Sequence, residues 1–277
     1  MTDKIKGQAN KVKSDLYIIK IGGNVIDNSE SLHNFLKDFT AIDGYKILVH
    51  GGGKVATQLS ETLGIEAKMV DGRRITDIET LRVVTMVYGG LINKNIVAQL
   101  QKFGTNAIGL TGADGNFIRT KKRPVKSIDY GFVGDMDENS INPENIKHLM
   151  DGGFTPVFCA LTHDGDGQLL NTNADTIASA LAVALSELYD TTLVYCFEKQ
   201  GVLKDINDES SLIAEIDPLR YEELKQQQII HSGMLPKLDN AFTAIACGVK
   251  AVIIGHADKL GLLKQNRSFG TRLSKNA

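Results

Sequence analysis

The sequence predicts an α/β protein in which an open, mainly parallel sheet lies between two layers of helices. Two observations indicate this three-layer αβα sandwich. Short apolar segments alternate with longer segments of helical periodicity, which is the order expected of βαβ units. The apolar segments show little polar alternation, as strands buried on both faces require. We expect strands at residues 16–21, 46–50, 107–110, 155–160, 191–196 and 251–254.

The helices are predicted from apolar residues at helical spacing and from start signals. Thr76 precedes the longest helix, and Asn142 and Asp217 each precede a proline, which is a favourable first helical residue. Residues 116–136 differ because they are polar and interrupted by glycines, a pattern typical of hairpins. We expect helices at residues 31–42, 54–63, 77–103, 143–151, 174–187, 218–227 and 236–247.

The composition is that of a folded protein and excludes several classes of function. Of 277 residues, 42% are hydrophobic, and the net charge is −2. This charge argues against a general nucleic-acid binder, and no apolar run approaches the ~20 residues that span a bilayer. Cys159, Cys196 and Cys247 lack the spacing of a metal site, which favours reduced thiols. We therefore expect a cytoplasmic protein without membrane or nucleic-acid partners.

The chain carries no linker rich in proline or serine. We therefore expect a single domain at residues 16–277. Residues 1–15 are polar and contain no apolar stretch, so we interpret them as an N-terminal extension and not as a secretory signal.

Two predicted strands end in consecutive glycines. Gly22 and Gly23 follow the first strand, and Gly51, Gly52 and Gly53 follow the second. Ligands of open α/β sheets bind beyond the carboxyl ends of the strands, and bare N–H groups there can bind anions. Neither loop is a dinucleotide fingerprint or a Walker A motif. Two such loops at matching positions favour a phosphorylated ligand over structural turns.

Two lysines lie in positions that an anion would stabilise. Lys20 is within an apolar strand beside Gly22, where an ammonium group costs several kcal/mol unless it meets an anion or reaches water. Lys237 follows the Gly233 loop and lies near the positive end of a helix dipole. A surface lysine remains the alternative for each.

A polar cluster precedes the alanine-rich helix at 174–187. Asn171 and Asn173 could cap this helix, with Asp175 in its first turn. The same three side chains could instead hold a carboxylate substrate and orient lysines. Arg74 could bind a carboxylate through its fork of donors or could be a solvated loop residue.

Five motifs resemble, in order and spacing, those of the N-acetylglutamate kinases of the amino acid kinase family. The likeness extends over residues 16–273, nearly the whole chain. Each motif alone is weak evidence, and their common order is much stronger. They are IKIGG at 19–23, HGGG at 50–53, GRRIT at 72–76, NTNAD at 171–175 and GMLPK at 233–237.

The resemblance implies the amino acid kinase fold and transfer of the γ-phosphoryl group of ATP, with Mg²⁺, to the side-chain carboxylate of an N-acylated glutamate. It also implies an N-terminal lobe at about 16–170 for the acylated amino acid and dimerisation, and a C-terminal lobe at about 171–277 for ATP. By resemblance, Lys20 and Lys237 neutralise the transferring group, and Asp175 orients them. The implied substrate contacts are Gly52, Gly53, Arg74 and Asn171, and the implied nucleotide contacts are Gly22, Gly23, Asn173, Glu198, Gly201, Gly233 and the segments 198–203 and 229–231.

The chain departs from the family pattern where an Asp-x-x-Gly turn is usual, because it has Glu198-Lys199-Gln200-Gly201. The acyl group could be acetyl or succinyl. The N-terminal extension lacks the apolar face of the interlacing helix of hexameric relatives, so we expect a homodimer that arginine does not inhibit. The alternatives are another activity of the family, such as that of a glutamate 5-kinase, and a non-catalytic sensor on the same fold.

Overall fold

The protein is described by a computed structural model that covers residues 13–70, 73–230, 234–265, 267 and 269–276. The strands are β1 Asp15–Ile21, β2 Tyr45–His50, β3 Met69–Val70, β4 Arg73–Arg74, β5 Ala107–Leu110, β6 Lys121–Lys122, β7 Gly134–Asp135, β8 Thr155–Cys159, β9 Leu161–His163, β10 Leu169–Asn171, β11 Asp190–Phe197, β12 Glu215–Ile216, β13 Ala251–His256 and β14 Thr271–Leu273. The α-helices are α1 Gly23–Asp27, α2 Ser29–Thr40, α3 Gly53–Thr62, α4 Ile78–Val84, α5 Asn93–Lys102, α6 Pro143–Asp151, α7 Ala174–Leu185, α8 Pro218–Gln226 and α9 Leu235–Ala246.

An eight-stranded sheet forms the centre of the described part of the chain, in the order β12-β14-β13-β11-β1-β2-β8-β5. Its neighbouring strands run parallel, except that β14 runs antiparallel to β13. Strands β1 and β11 pair in register from Asp15 opposite Asp190 to Ile21 opposite Cys196. The carboxyl ends of the central strands therefore meet at one edge of the sheet.

The core lies between this sheet and two groups of helices. Helix α7 packs on β1, β2 and β11, and it also contacts α6 and α9. Helices α2 and α5 pack together in a second group, with α5 against β5 and β8. Ile18, Ile19 and Ile21 of β1 are fully buried, as strands covered on both faces require. The predicted mainly parallel αβα sandwich is confirmed.

The predicted helix at 77–103 is interrupted. Helix α4 continues into a π-helical segment at Thr85–Ile92, and α5 begins at Asn93. The sequence TMVYGGLI is apolar over nearly its whole length, so it has no periodicity that would distinguish one helical pitch from another. Glycines at positions 89 and 90 lie within this wider turn.

The short elements are those that the sequence did not predict. They include α1, the short strands β12 and β14 at one side of the sheet, and the 3-10 segment Ala257–Gln265. Such elements are too short to show a repeating pattern, and their neighbours in the fold determine them. The hairpin expected within 116–136 is present as the antiparallel pair β6 and β7. No helix in the described residues is both long and apolar enough to cross a membrane.

Candidate active site

A cleft of about 950 Å³ opens at the carboxyl ends of β1 and β2, where the two glycine loops were predicted to bind ligands. We call it the central cleft. Most of the predicted site residues line it, although they come from distant parts of the chain: Lys20, Gly23, Gly52, Gly53, Arg74, Asn171, Asn173, Asp175 and Lys237.

Lys20 and Asp175 form an ion pair in the central cleft. Lys20 Nζ lies 2.8 Å from Asp175 Oδ1, and the exposed fractions of the two side chains are 12% and 35%. This oxygen accepts no well-directed hydrogen bond from the described residues, so the contact is mainly electrostatic. Asp175 is in the first turn of α7, where the helix dipole also stabilises its negative charge.

Lys237 lies in the first turn of α9, and its ammonium group is 3.7 Å from the centre of the Phe197 ring. Partial burial lowers the pKa of Lys237, and the nearby positive charge of Lys20 lowers it further, while Asp175 opposes both effects. Two ammonium groups thus share a single carboxylate. The cluster has a net positive charge and is suited to bind an anion.

Asn173 is the N-cap of α7. Its Oδ1 accepts a hydrogen bond from the backbone N–H of Thr176 at 3.0 Å. Thus the capping role belongs to Asn173 and not to Asn171. Asn173 also lines the central cleft. Because its Oδ1 caps the helix, its side-chain NH₂ group is the donor that a nucleotide could use, and this contact stays a prediction.

The two glycines after β1 differ in what they offer a ligand. The backbone N–H of Gly22 donates to Cys196 O at 3.1 Å, so this N–H is already bonded, and a phosphate contact by Gly22 stays a prediction. At Gly23, which begins α1, an added Cβ would meet nothing within 4 Å. Gly23 therefore offers the bare backbone of this loop to a ligand.

The triple glycine is divided in a similar way. Gly52 has φ +156°, and an added Cβ would clash with Ile92 and lie 3.0 Å from Tyr88 Cδ1. The fold itself therefore requires a glycine at position 52. At Gly53, the first residue of α3, an added Cβ would come no closer than 3.9 Å to Arg74 Nη2. Gly53 is thus the glycine of this pair that leaves space in the central cleft.

Arg74 lies beside the α3 N-terminus and has an unused donor. Its Nη2 donates to Gly53 O at 3.0 Å and to Thr57 Oγ1 at 2.8 Å. Its buried Nη1 has no hydrogen-bond partner among the described residues. A buried guanidinium donor without a partner is costly, and the positive charge of Arg74 favours an anion in the central cleft.

Asn171 approaches the same end of the cleft from β10. Its side-chain amide donates to Thr76 Oγ1 at 3.0 Å. Its backbone N–H donates to Phe132 O, which fixes the position of β10 beside the hairpin segment. The side-chain oxygen of Asn171 can still accept a hydrogen bond from a ligand donor.

His50 supports the triple glycine from beneath, a role that the sequence analysis missed. Its Nδ1 lies 2.8 Å from Gly51 O, and Asn93 Nδ2 donates to its Nε2 at 3.0 Å. Complete burial lowers the pKa of His50 to about 4, so the ring is neutral and Nδ1 carries the proton. A histidine at the end of an apolar strand, next to three glycines, was the available signal.

The predicted nucleotide segment after β11 lies outside the lining of the central cleft. Glu198 is exposed, and Gly201 has φ +155° at a tight turn where an added Cβ would lie 2.7 Å from Thr271 Oγ1. Packing therefore explains Gly201 without a ligand, and a nucleotide contact by either residue stays a prediction. Gly233 and His231 lie outside the described residues.

The described residues contain no group of three or more His, Cys, Asp or Glu side chains that could hold a metal ion. The positive charges that line the central cleft belong to lysine and arginine side chains.

Comparison with known proteins identifies the family. The profile of the amino acid kinase family matches residues 15–256. The chain belongs to the amino acid kinase family. This membership confirms the predicted fold and implies the use of ATP.

The curated relatives identify the branch of the family. An acetylglutamate kinase of Cytophaga hutchinsonii is 60% identical over 263 residues, which cover 94% of this chain and 99% of the relative. One from Phocaeicola vulgatus is 56% identical over 264 residues, covering 95% and 100%. The crystal structure of smu.665 from Streptococcus mutans UA159 matches with a TM-score of 0.73 at 26% identity, covering 94% of this chain and 99% of the other. The resemblance found in the motifs is confirmed.

Proposed function

We propose that this protein transfers the γ-phosphoryl group of ATP to the side-chain carboxylate of N-acetyl-L-glutamate, the second step of arginine biosynthesis. The product is an acyl phosphate. The identity to curated acetylglutamate kinases over nearly the whole chain supports this activity. In the structure, the observation that carries it is the arrangement of two cationic groups, the lysine cluster and Arg74, in a single cleft.

The lysine cluster suits the reacting end of ATP. Phosphoryl transfer depends on positioning and on stabilising charge, and Lys20 and Lys237 supply two ammonium groups for the transferring phosphoryl group. Asp175 holds Lys20 and keeps the cluster from becoming doubly positive. The backbone at Gly23, which faces open space in the cleft, is available to a phosphate oxygen. We propose that Mg²⁺ arrives with ATP and neutralises further phosphate charge.

The other end of the cleft suits a small dicarboxylate. The guanidinium group of Arg74 and the side-chain oxygen of Asn171 can hold the α-carboxylate and the acylated amine of N-acetylglutamate. Gly53 leaves space for the amino acid to lie against the start of α3. This arrangement would direct the side-chain carboxylate toward the lysine cluster. Glu198, Gly201, Gly233 and Asn173 remain proposed nucleotide contacts.

A substrate panel tests the proposal. The acyl phosphate reacts with hydroxylamine, so hydroxamate formation can be compared for N-acetylglutamate, N-succinylglutamate and glutamate at equal concentrations. We expect the highest kcat/KM with N-acetylglutamate. A preference for N-succinylglutamate would change the acyl group while retaining the reaction, whereas activity on glutamate alone would replace the proposal with a glutamate 5-kinase.

We further propose that the protein is a cytoplasmic homodimer that arginine does not inhibit. Exposed apolar side chains on the α4–α5 segment, at Ile78, Met86 and Leu91, support pairing with a second copy. Light scattering should give the mass of a dimer, and adding arginine should leave kcat/KM unchanged. A hexamer or inhibition by arginine would contradict these proposals. We also propose that residues 16–277 form one catalytic domain whose two lobes meet near residue 170, after the extension at 1–15.

A further inference from the structure

The ammonium groups of two lysines in the central cleft lie close to one aromatic ring. The centre of the Phe197 ring is 3.7 Å from Lys237 Nζ and 5.5 Å from Lys20 Nζ. Both distances are within the range of cation–π attraction. Phe197 is the last residue of β11, so the strand itself determines where the ring stands. None of the motifs in the sequence analysis contained this residue.

We infer that Phe197 is a positioning residue that holds the Lys237 ammonium group in place for phosphoryl transfer. The inference rests on the proposed kinase function. Lys20 has Asp175 as its partner at 2.8 Å, whereas the Phe197 ring provides the close negative surface for Lys237. Holding two like charges in one cleft requires some attraction for each.

A ring has an advantage over a second carboxylate in this place because it carries no net charge. The face of an aromatic ring attracts a cation but carries no net charge. A second carboxylate would cancel the charge of Lys237 and would repel the phosphates of ATP. With Phe197 in this place, Lys20, Lys237 and Asp175 together retain one positive charge for the transferring group.

The ring is itself held firmly. Phe197 stacks on Tyr195 with ring centres 6.0 Å apart and an interplanar angle of 17°. Residues two apart on a strand face the same side of the sheet, which explains this stacking. The Tyr195 hydroxyl donates to the backbone oxygen of Asp175 at 3.2 Å. The two aromatic residues thus connect the lysine cluster to the first turn of α7.

The first test is a substitution that removes the π face but keeps an apolar side chain. Phe197→Leu should lower kcat by about 2- to 30-fold with little change in the KM for N-acetylglutamate. Phe197→Tyr keeps the ring and should restore most of kcat. Phe154→Leu, at an exposed phenylalanine after α6, is the matched control and should leave kcat unchanged. Equal kcat in the Phe197→Leu variant and the wild type would overturn the inference.

The second test distinguishes positioning from a general effect on folding. In a double-mutant cycle with Lys237→Met, the loss caused by Phe197→Leu should become much smaller, because the ring acts mainly through that lysine. An equal loss in both backgrounds would contradict the inference.

The third test uses the free protein, so it does not depend on the proposed reaction. In protein with ¹³C at the lysine ε-carbon, the ring should shift the Lys237 ε-methylene resonances upfield, and Phe197→Leu should abolish that shift. The groups that face Lys237 are Asp175 on α7 and Lys20 on β1, and both remain in this variant. Because the ring attracts the ammonium group, its removal should lower the pKa of Lys237 further. An unshifted Lys237 resonance in the wild type would refute the inference even if the kinase activity is confirmed.

Discussion

Alanine substitutions at Gly52 and Gly53 should have opposite consequences although the residues are adjacent. At Gly52, the new methyl group would clash with Ile92 and crowd the Tyr88 ring, and φ is positive. Overpacking of this kind typically costs about 1–3 kcal/mol. An unfolding entropy of about 2.1 cal/mol/K per residue gives ~0.6 kcal/mol/K for 277 residues. Gly52→Ala should therefore lower Tm by about 2–5 °C.

At Gly53 the new methyl group would meet open space in the cleft. Because its closest contact would be Arg74 Nη2 at 3.9 Å, we expect Tm to change by less than about 1 °C. The methyl group would occupy space proposed for the amino acid, so the KM for N-acetylglutamate should rise by about tenfold, equivalent to ~1.4 kcal/mol.

The assay combines thermal unfolding by calorimetry with initial rates at varied ATP and varied N-acetylglutamate. Gly23→Ala is the matched control, since its methyl group also enters open space but in the other loop. It should raise the KM for ATP and leave the KM for N-acetylglutamate unchanged. A wild-type Tm in the Gly52→Ala variant, or equal destabilisation in the Gly53→Ala variant, would refute the different roles of the two glycines.

Three further predictions concern single side chains. Lys20→Ala and Lys237→Ala should each lower kcat by about 10²–10³-fold with modest changes in KM, and an unchanged kcat in both would remove their assigned roles. Arg74→Ala should raise the KM for N-acetylglutamate by about 10- to 150-fold, with the KM for ATP as the control; equal increases in both would argue against a carboxylate contact. For His50, folding lowers the pKa from its ordinary 6.5 to about 4, so the unfolded chain binds more protons between these values and stability falls as pH falls. Urea unfolding should show a loss of about 2 kcal/mol from pH 7 to pH 5 that is absent in His50→Asn, and the same pH slope in both proteins would refute this.

The central strands and long helices were predictable because each repeats a pattern. Strand β2 contains the buried apolar run Ile47-Leu48-Val49, and α6 combines the Asn142 cap, Pro143 and helical periodicity. The π-helical segment at Thr85–Ile92 has no such pattern, and strand β14 has only three residues. For these elements the deciding contacts come from distant parts of the chain, which a local window of sequence does not contain.

The site was predictable where a residue type is unusual for its setting. Lys20 in an apolar strand and two glycine-ended strands are costly features that a ligand can explain. Phe197 was missed because a phenylalanine at the end of a buried strand is ordinary, and only the structure shows the lysines above its ring. The sequence suggested only a ligand contact for Gly52, whereas the structure shows that packing against Ile92 and Tyr88 also requires a glycine there.

The proposed carboxylate acceptor requires no histidine as a base. His50 is fully buried, its pKa is lowered to about 4, and both ring nitrogens have partners, so it is unable to remove a proton from a substrate. No histidine is among the described residues that line the central cleft. The proposed acceptor, a glutamate side chain with a pKa near ~4.3, is already ionised at neutral pH and needs no base. Lysines, an arginine and bare backbone are then sufficient, because the remaining task is to hold anions close together in line.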